Sequence, residues 1–236
     1  MLNQVRARRP VAYVLDVQQE QLTYVARFSR PLFEVWGDGK TIVRSLFEAF
    51  SQFGVPLSNI RLEPGMTNAT DPVVNVNIGS GGNHKFMFDR TETVFAYLTE
   101  DSIKSIPSLL EASTRWIRAT SPSLKFASHQ FVYFNHGHLK NASVEEFLKS
   151  VGPKSPKTGG VNKGNGAIFH WEVPDRKWST QLVLDRSLVI PGGLYTMLTL
   201  LVFGDIVNYP ELLGEGRAYL GAVLGELGLN FPELVA

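Results

Sequence analysis

The feature that most constrains this fold is a set of three short segments that each have a counterpart roughly one hundred residues further along the chain. The three segments occur in the same order in both halves. Small differences in spacing are expected between copies, because loops tolerate insertions. The pattern indicates an internal duplication. The pairs are FMFDRT (86–91) with LVLDRS (182–187), IPSLLEASTRWI (106–117) with YPELLGEGRAYL (209–220), and WGDGK (36–40) with HGHLK (136–140).

Hydrophobic periodicity indicates the secondary structure of each half. Apolar residues at spacings of three and four predict a helix that contains Ile42 and Phe50, and runs of β-branched and aromatic residues predict strands around it. A glycine-rich link at 79–83 joins two strands and predicts antiparallel pairing. Ser143 and Glu146 form an S-x-x-E capping box that begins a helix in the second half.

These signals predict an α+β fold made of two similar modules with the element order β-α-β-β-β-β-α. We expect antiparallel sheets with helices packed on one face. The modules are predicted to span residues 1–120 and 121–236, either as two domains or as one fused domain. A chain of 236 residues is long enough for either arrangement.

Composition argues against several function classes. The 23 basic and 22 acidic residues leave a formal net charge of +1, which is not the electrostatic footprint of a nucleic-acid-binding or membrane-surface protein. There is no cysteine, so disulfides, thiolate nucleophiles and cysteine-based metal sites are excluded. The longest apolar tract, 188–207, is interrupted by Pro191, Gly192, Gly193 and Asp205, and its unbroken part, 194–203, is too short to span a bilayer. We expect a cytoplasmic protein.

The pair His136 and His138 is the clearest candidate for a metal site in the sequence. In an extended chain their side chains point to the same side, where they could share a metal ion. The other interpretation is a polar loop between a strand and a helix, since no third ligand occurs at an indicative spacing. Both interpretations stay open, and no cofactor is expected.

Each half contains one Asp-Arg pair at a matching place: Asp89 with Arg90 in the first half and Asp185 with Arg186 in the second. If the fold brings the pairs together, the carboxylates could act as acid and base, or the arginines could bind an anionic ligand. As structural features, the pairs would end an apolar strand and close a turn. The duplication favours the structural role, because features that a fold needs persist in both copies.

Three segments carry a resemblance to a known family: RPVAYVLDV (9–17), HQFVYFNHGHLKNASVEEFL (129–148) and QLVLDRS (181–187). They resemble an uncharacterised, sporadically distributed bacterial protein family of similar length. The element order of each half is also similar to that of the export chaperone SecB, whose sheets present apolar grooves to unfolded polypeptides. The resemblance implies a polypeptide-binding role and brings no catalytic residues.

The sequence therefore favours a non-catalytic module that binds a protein or peptide through an apolar sheet surface. The alternative is a small-ligand-binding protein or a metal-dependent enzyme with a site between the halves. A large exposed apolar patch would favour the first function, and a deep pocket with titratable groups between the halves would favour the second. Association into a homo-oligomer is left open.

Overall fold

A computed structural model describes residues 13–34, 36, 38–63, 72–79, 81–152, 166–205 and 208–231. Within these ranges the chain has the α+β fold that the sequence predicts. The helices are α1 (Gly39–Phe50), α2 (Glu100–Thr120), α3 (Val144–Val151) and α4 (Tyr209–Glu226). The strands are β1 (Tyr13–Phe28), β2 (Ile60–Glu63), β3 (Val73–Gly79), β4 (Gly82–Phe86), β5 (Arg90–Phe95), β6 (Phe126–Leu139), β7 (Ala167–Val173), β8 (Trp178–Arg186), β9 (Leu194–Phe203) and β10 (Leu229–Asn230).

The described strands form one sheet with the order β2-β3-β4-β5-β1-β6-β9-β8-β7, and each neighbouring pair is antiparallel. The short β10 pairs in parallel with the first residues of β1. Outward from the central β1–β6 pair, the order β5, β4, β3 on one side corresponds to β9, β8, β7 on the other. The two halves therefore share a similar strand order within one sheet, and their origin by duplication stays a prediction.

Side-chain caps explain where the helices begin. Thr99 and Ser102 cap the first turn of α2 reciprocally. Ser143 and Glu146 form the same arrangement at α3, which confirms the capping box predicted from the sequence. At α4 the Asn208 side chain accepts a hydrogen bond from the first turn. Each cap satisfies backbone N–H groups that have no partner inside the helix.

All four helices pack on the same face of the sheet, as predicted. Phe50 of α1 and Ser113 of α2 both contact His84 of β4. α4 lies over β6, where the Tyr133 hydroxyl donates a hydrogen bond of 3.0 Å to the carbonyl oxygen of Leu213. α3 packs on this side against the beginning of β1. The fold is thus a two-layer structure.

The core lies between the sheet and the helices. Leu22, Tyr133 and Leu198 align in register across β1, β6 and β9, and all three are buried. Leu46 of α1 and Leu110 of α2 belong to the same buried cluster. One face of the sheet is therefore buried against the helices.

Two local expectations are wrong. The helix that contains 106–117 is predicted to begin near 99–107 with Pro107 in its first turn; α2 does begin in that range, at Glu100, but Pro107 lies in its interior. His136 and His138 are not in a loop. They belong to β6, which continues to Leu139 because the first residues of β1 extend its ladder.

Candidate functional site: the open face of the sheet

The sheet has a second face that no helix in the described ranges covers. Side chains alternate between the two faces of a strand. In β6, Tyr133 points to the helices, so its neighbours Val132 and Phe134 point the other way. We call this second surface the open face. The strand registers show which residues of the other strands belong to it.

A continuous row of apolar side chains crosses the open face. Phe134, Met197, Val183 and Ile168 align in register on β6, β9, β8 and β7. Ile168 is 61% exposed, and the other three are partly exposed. We call these four residues the apolar row. They give the open face a contiguous apolar strip that extends from the centre of the sheet to its outer strand.

On the side of the apolar row away from His136, the neighbouring residues are uncharged, whereas Asp185, two residues from Val183 on the same face, and Glu172, opposite Ser179, lie at the border. The apolar row and its neighbours on the open face form what we call the open patch. It consists of Gln21, Thr23 and Val25 of β1, Gln130, Val132 and Phe134 of β6, Ile168 and His170 of β7, Ser179, Gln181 and Val183 of β8, and Met197, Thr199 and Leu201 of β9. The patch contains no Asp, Glu, Lys or Arg, although these make up 19% of the chain. Depletion of charge is typical of the centre of a protein–protein interface.

The open face of β2 to β4 has a different chemistry. Asn75, Asn77 and Asn83 line an open cleft of about 610 Å³ together with Arg61 and Glu63. These side chains are polar or charged, and Asn75 donates a hydrogen bond to Glu63. The apolar character of the open face is thus confined to the second half and β1. The two halves differ here despite their similar strand orders.

His136 and His138 both lie on the open face, at the end of β6. His136 Nδ1 is 2.8 Å from the Ser187 hydroxyl, and burial lowers the pKa of its imidazole. His138 is exposed and lies opposite Asp16, whose carboxylate pairs with Lys140 at 3.3 Å. Within the described residues no three His, Cys, Asp or Glu side chains are grouped so that they could hold a metal ion. A metal at these histidines stays a prediction.

The strand registers place the two Asp-Arg pairs at opposite ends of the sheet. Arg90 aligns through β1 with Ser128 of β6, whereas Arg186 aligns through β9 with Gly137 of β6. Nine residues along a strand correspond to about 30 Å. Asp89 and Asp185 therefore do not come together as an acid–base pair.

Each Asp-Arg pair has its own local contacts. Asp89 pairs with Arg90 at 2.9 Å, and Arg27 lies 3.6 Å from the same carboxylate. Asp185 accepts a hydrogen bond from the backbone N–H of Arg186, whose guanidinium lies 3.5 Å from Glu145 of α3. These contacts suit a structural role at strand ends. Ligand binding by either pair stays a prediction.

The helix side has a cleft between the two halves. It has a volume of about 560 Å³ and lies between α2 and the start of α4. Arg118 on its wall donates a hydrogen bond of 3.0 Å to the backbone carbonyl of Asp205. Beneath it, hydroxyl groups connect Thr114 to Tyr209 at 2.7 Å and Tyr209 to Tyr24 at 2.9 Å.

A buried histidine ends this chain of hydrogen bonds. The Tyr24 hydroxyl is 2.8 Å from Nδ1 of His129. Burial raises the pKa of Tyr24 and Tyr209 and lowers the pKa of His129 to about 4. All three groups are therefore neutral near pH 7, whereas a general acid or base works best with a pKa near the operating pH. No spacing in the sequence could reveal this chain, because its members come from separate elements.

Comparison with known proteins does not assign a function. No protein-family model matches this sequence, and no curated protein shows significant similarity to it. The resemblances to the bacterial family and to SecB stay predictions. Among the helices of the described ranges, none has the length and hydropathy needed to cross a membrane.

Proposed function

We propose that this protein is a non-catalytic interaction module that binds an apolar polypeptide segment through the open patch. The observation that carries the proposal is the apolar row, which continues across four strands on a face that none of the described helices covers. Contiguous apolar surface of this kind marks interaction sites in soluble proteins. The uncharged residues on one side of the row, Gln130, Val132, Gln181 and Thr199 among them, support the same interpretation, since a buried unpaired charge would oppose binding.

The chemistry of the open patch supports binding more than catalysis. Its polar members are Ser, Thr, Gln and a single histidine, His170, so the patch offers no acid–base pair or carboxylate cluster. Alternating apolar and amide side chains suit an extended partner, whose own side chains also alternate. Specificity would then come from the shape of the partner and from hydrogen bonds with the glutamines.

The cleft between α2 and α4 is the observation that favours the alternative, a small-ligand binder with a site between the halves. Glu111 and Arg115 on its wall offer charges of both signs to a polar ligand. The buried groups beneath it are neutral near pH 7, which gives no support to acid–base chemistry. Binding of a small polar ligand that is lost in Arg115→Ala but kept in Met197→Asp would favour this alternative.

The experiment uses a permanently unfolded probe, reduced and carboxymethylated lactalbumin, with affinity measured by isothermal titration calorimetry. We expect Met197→Asp to weaken binding at least tenfold, because it places a charge in the middle of the apolar row. Met197→Leu keeps the apolar surface and should bind within about twofold of the unsubstituted protein.

Asn77→Asp is the matched control. Asn77 is exposed on the open face outside the patch, so this substitution adds the same charge to the polar part of the same face. Its side chain accepts a hydrogen bond from Gly79, which a carboxylate can also accept. Equal losses in Met197→Asp and Asn77→Asp, or no saturable binding by the unsubstituted protein, would contradict the proposal.

A further inference from the structure

Asn135 of β6 and Thr196 of β9 are register partners on the helix face of the sheet. Both residues are fully buried, with 0% of their surface exposed. Their side chains lie side by side because opposite residues of an antiparallel pair point to the same face. Two buried polar side chains thus stand together on the helix face of the sheet.

Three side-chain atoms of this pair have no hydrogen-bond partner among the described residues. They are Oδ1 and Nδ2 of Asn135 and Oγ1 of Thr196. Buried polar atoms are nearly always hydrogen-bonded in folded proteins, to protein groups or to ordered water. The pair therefore requires a partner that can both donate and accept hydrogen bonds.

The neighbouring charges indicate that this partner is neutral. Glu20 of β1 lies opposite Asn135 on the same row. Its two carboxylate oxygens accept hydrogen bonds of 2.9 and 3.1 Å from Arg217 of α4. Because the glutamate charge is already balanced, the site has no net negative charge to attract a cation.

The usual spacing of an antiparallel pair leaves room for a ligand of the size of water. Opposite Cα atoms of an antiparallel pair are about 4.5 to 5.5 Å apart. A water that forms two hydrogen bonds of about 2.8 Å in tetrahedral geometry joins atoms about 4.6 Å apart. The Asn135 amide and the Thr196 hydroxyl can each donate or accept, so a bridge satisfies both.

We propose that a buried water molecule bridges Asn135 and Thr196 within the second half of the sheet. The site is formed by side chains of two paired strands, β6 and β9. The site does not depend on the proposed function, because it lies on the helix face of the sheet, away from the open patch. The expected ligand is a single ordered water with protein partners on both strands.

A crystal structure at about 1.5 Å resolution tests the site directly. We expect a spherical density peak within about 3.2 Å of both the Asn135 amide and Thr196 Oγ1. A direct hydrogen bond between the two side chains, or an absence of density between them, would overturn the proposal.

The sign of a stability change gives a second test. Thr196→Val removes the hydroxyl without changing side-chain shape. If a water is present, the variant takes away one of its partners, so the urea midpoint falls. If the site is dry, the hydroxyl is buried without a partner, and its removal raises the midpoint.

Thr180→Val is the matched control. Thr180 is also a buried threonine on the helix face, but its hydroxyl donates a hydrogen bond of 2.6 Å to the Trp171 carbonyl. The shift in the urea midpoint of Thr180→Val therefore shows the effect of removing a hydroxyl that already has a hydrogen-bond partner. A Thr196→Val shift in the same direction supports the water, and an unchanged or higher midpoint overturns it.

Discussion

Gly216 of α4 lies directly against Tyr133 of β6. A Cβ atom at residue 216 would come within 2.8 Å of the Tyr133 hydroxyl oxygen and within 2.9 Å of Leu200 Cδ1. The spaced glycines of this helix predict close packing against a sheet or a partner subunit, and the structure places a close approach to the sheet at Gly216. Gly214, two residues earlier, has nothing within 4 Å of its Cβ site.

Gly216→Ala should therefore destabilise the fold. The added methyl group overpacks the contact with Tyr133, and such overpacking costs about 1 to 3 kcal/mol. Gly214→Ala is the matched control, because it adds the same methyl group in open space and should stabilise the helix by about 0.5 to 1 kcal/mol. Urea unfolding of both variants checks the prediction. A stabilising Gly216→Ala would contradict the contact.

Pro107→Ala should raise stability. Pro107 lies inside α2, where it cannot donate the helical hydrogen bond, and an interior proline is about 3 kcal/mol less favourable than alanine. Pro210 occupies the first turn of α4, where its missing N–H costs little, so Pro210→Ala should change the thermal midpoint much less. Equal midpoint shifts in the two variants would show that the position in the helix does not matter.

Arg217→Met should be strongly destabilising, by about 3 to 5 kcal/mol. The Glu20 side chain is 7% exposed, so removing its cation leaves a buried carboxylate without a counter-charge. The double variant Glu20→Leu with Arg217→Met should recover much of this loss, because it removes both charges. Chemical denaturation across the full double-mutant cycle measures the coupling. Simple additivity of the two single changes would contradict a direct interaction.

Stability should fall as the pH decreases below about 6.5. Burial lowers the pKa of His84 to about 3 and that of His129 to about 4, while the unfolded chain protonates near 6.5. Between these values the unfolded state binds protons that the folded state does not, so each histidine reduces stability by up to about 1.4 kcal/mol per pH unit. Above pH 6.5 the effect is absent.

His84→Gln separates this pH effect from packing. Whatever it does to stability at pH 7.5, the variant should lose less additional stability between pH 7.5 and 5 than the unsubstituted protein. Urea titrations at the two pH values measure the difference. An unchanged pH dependence would show that His84 is already protonated, or that it is not buried in the folded protein.

Local features of the fold could be predicted from the sequence. The helix cap at Ser143 and Glu146, the strand character of 168–173 and the helical stripe of Ile42 and Phe50 depend on residues close to each other in the chain. Turn and cap geometry is set by short-range hydrogen bonds, and the alternation of side chains is set by backbone sterics. The existence of a sheet with one apolar face follows from these signals.

The length of β6 shows where local signals failed. The sequence left open whether His136 and His138 lie in an extended chain or in a loop, and pairing with β1 extends the strand through them. Tertiary context overrides strand propensity readily. The same pairing sets the Asp-Arg pairs at opposite ends of the sheet.

The sequence by itself determined which side chains of each strand share a face, because alternation is a property of the backbone. Only the tertiary structure decided which strands are neighbours. The apolar row unites Phe134, Ile168, Val183 and Met197, and the buried pair unites Asn135 with Thr196. Register between distant strands depends on the packing of the whole core against the helices, and no short stretch of sequence contains that information.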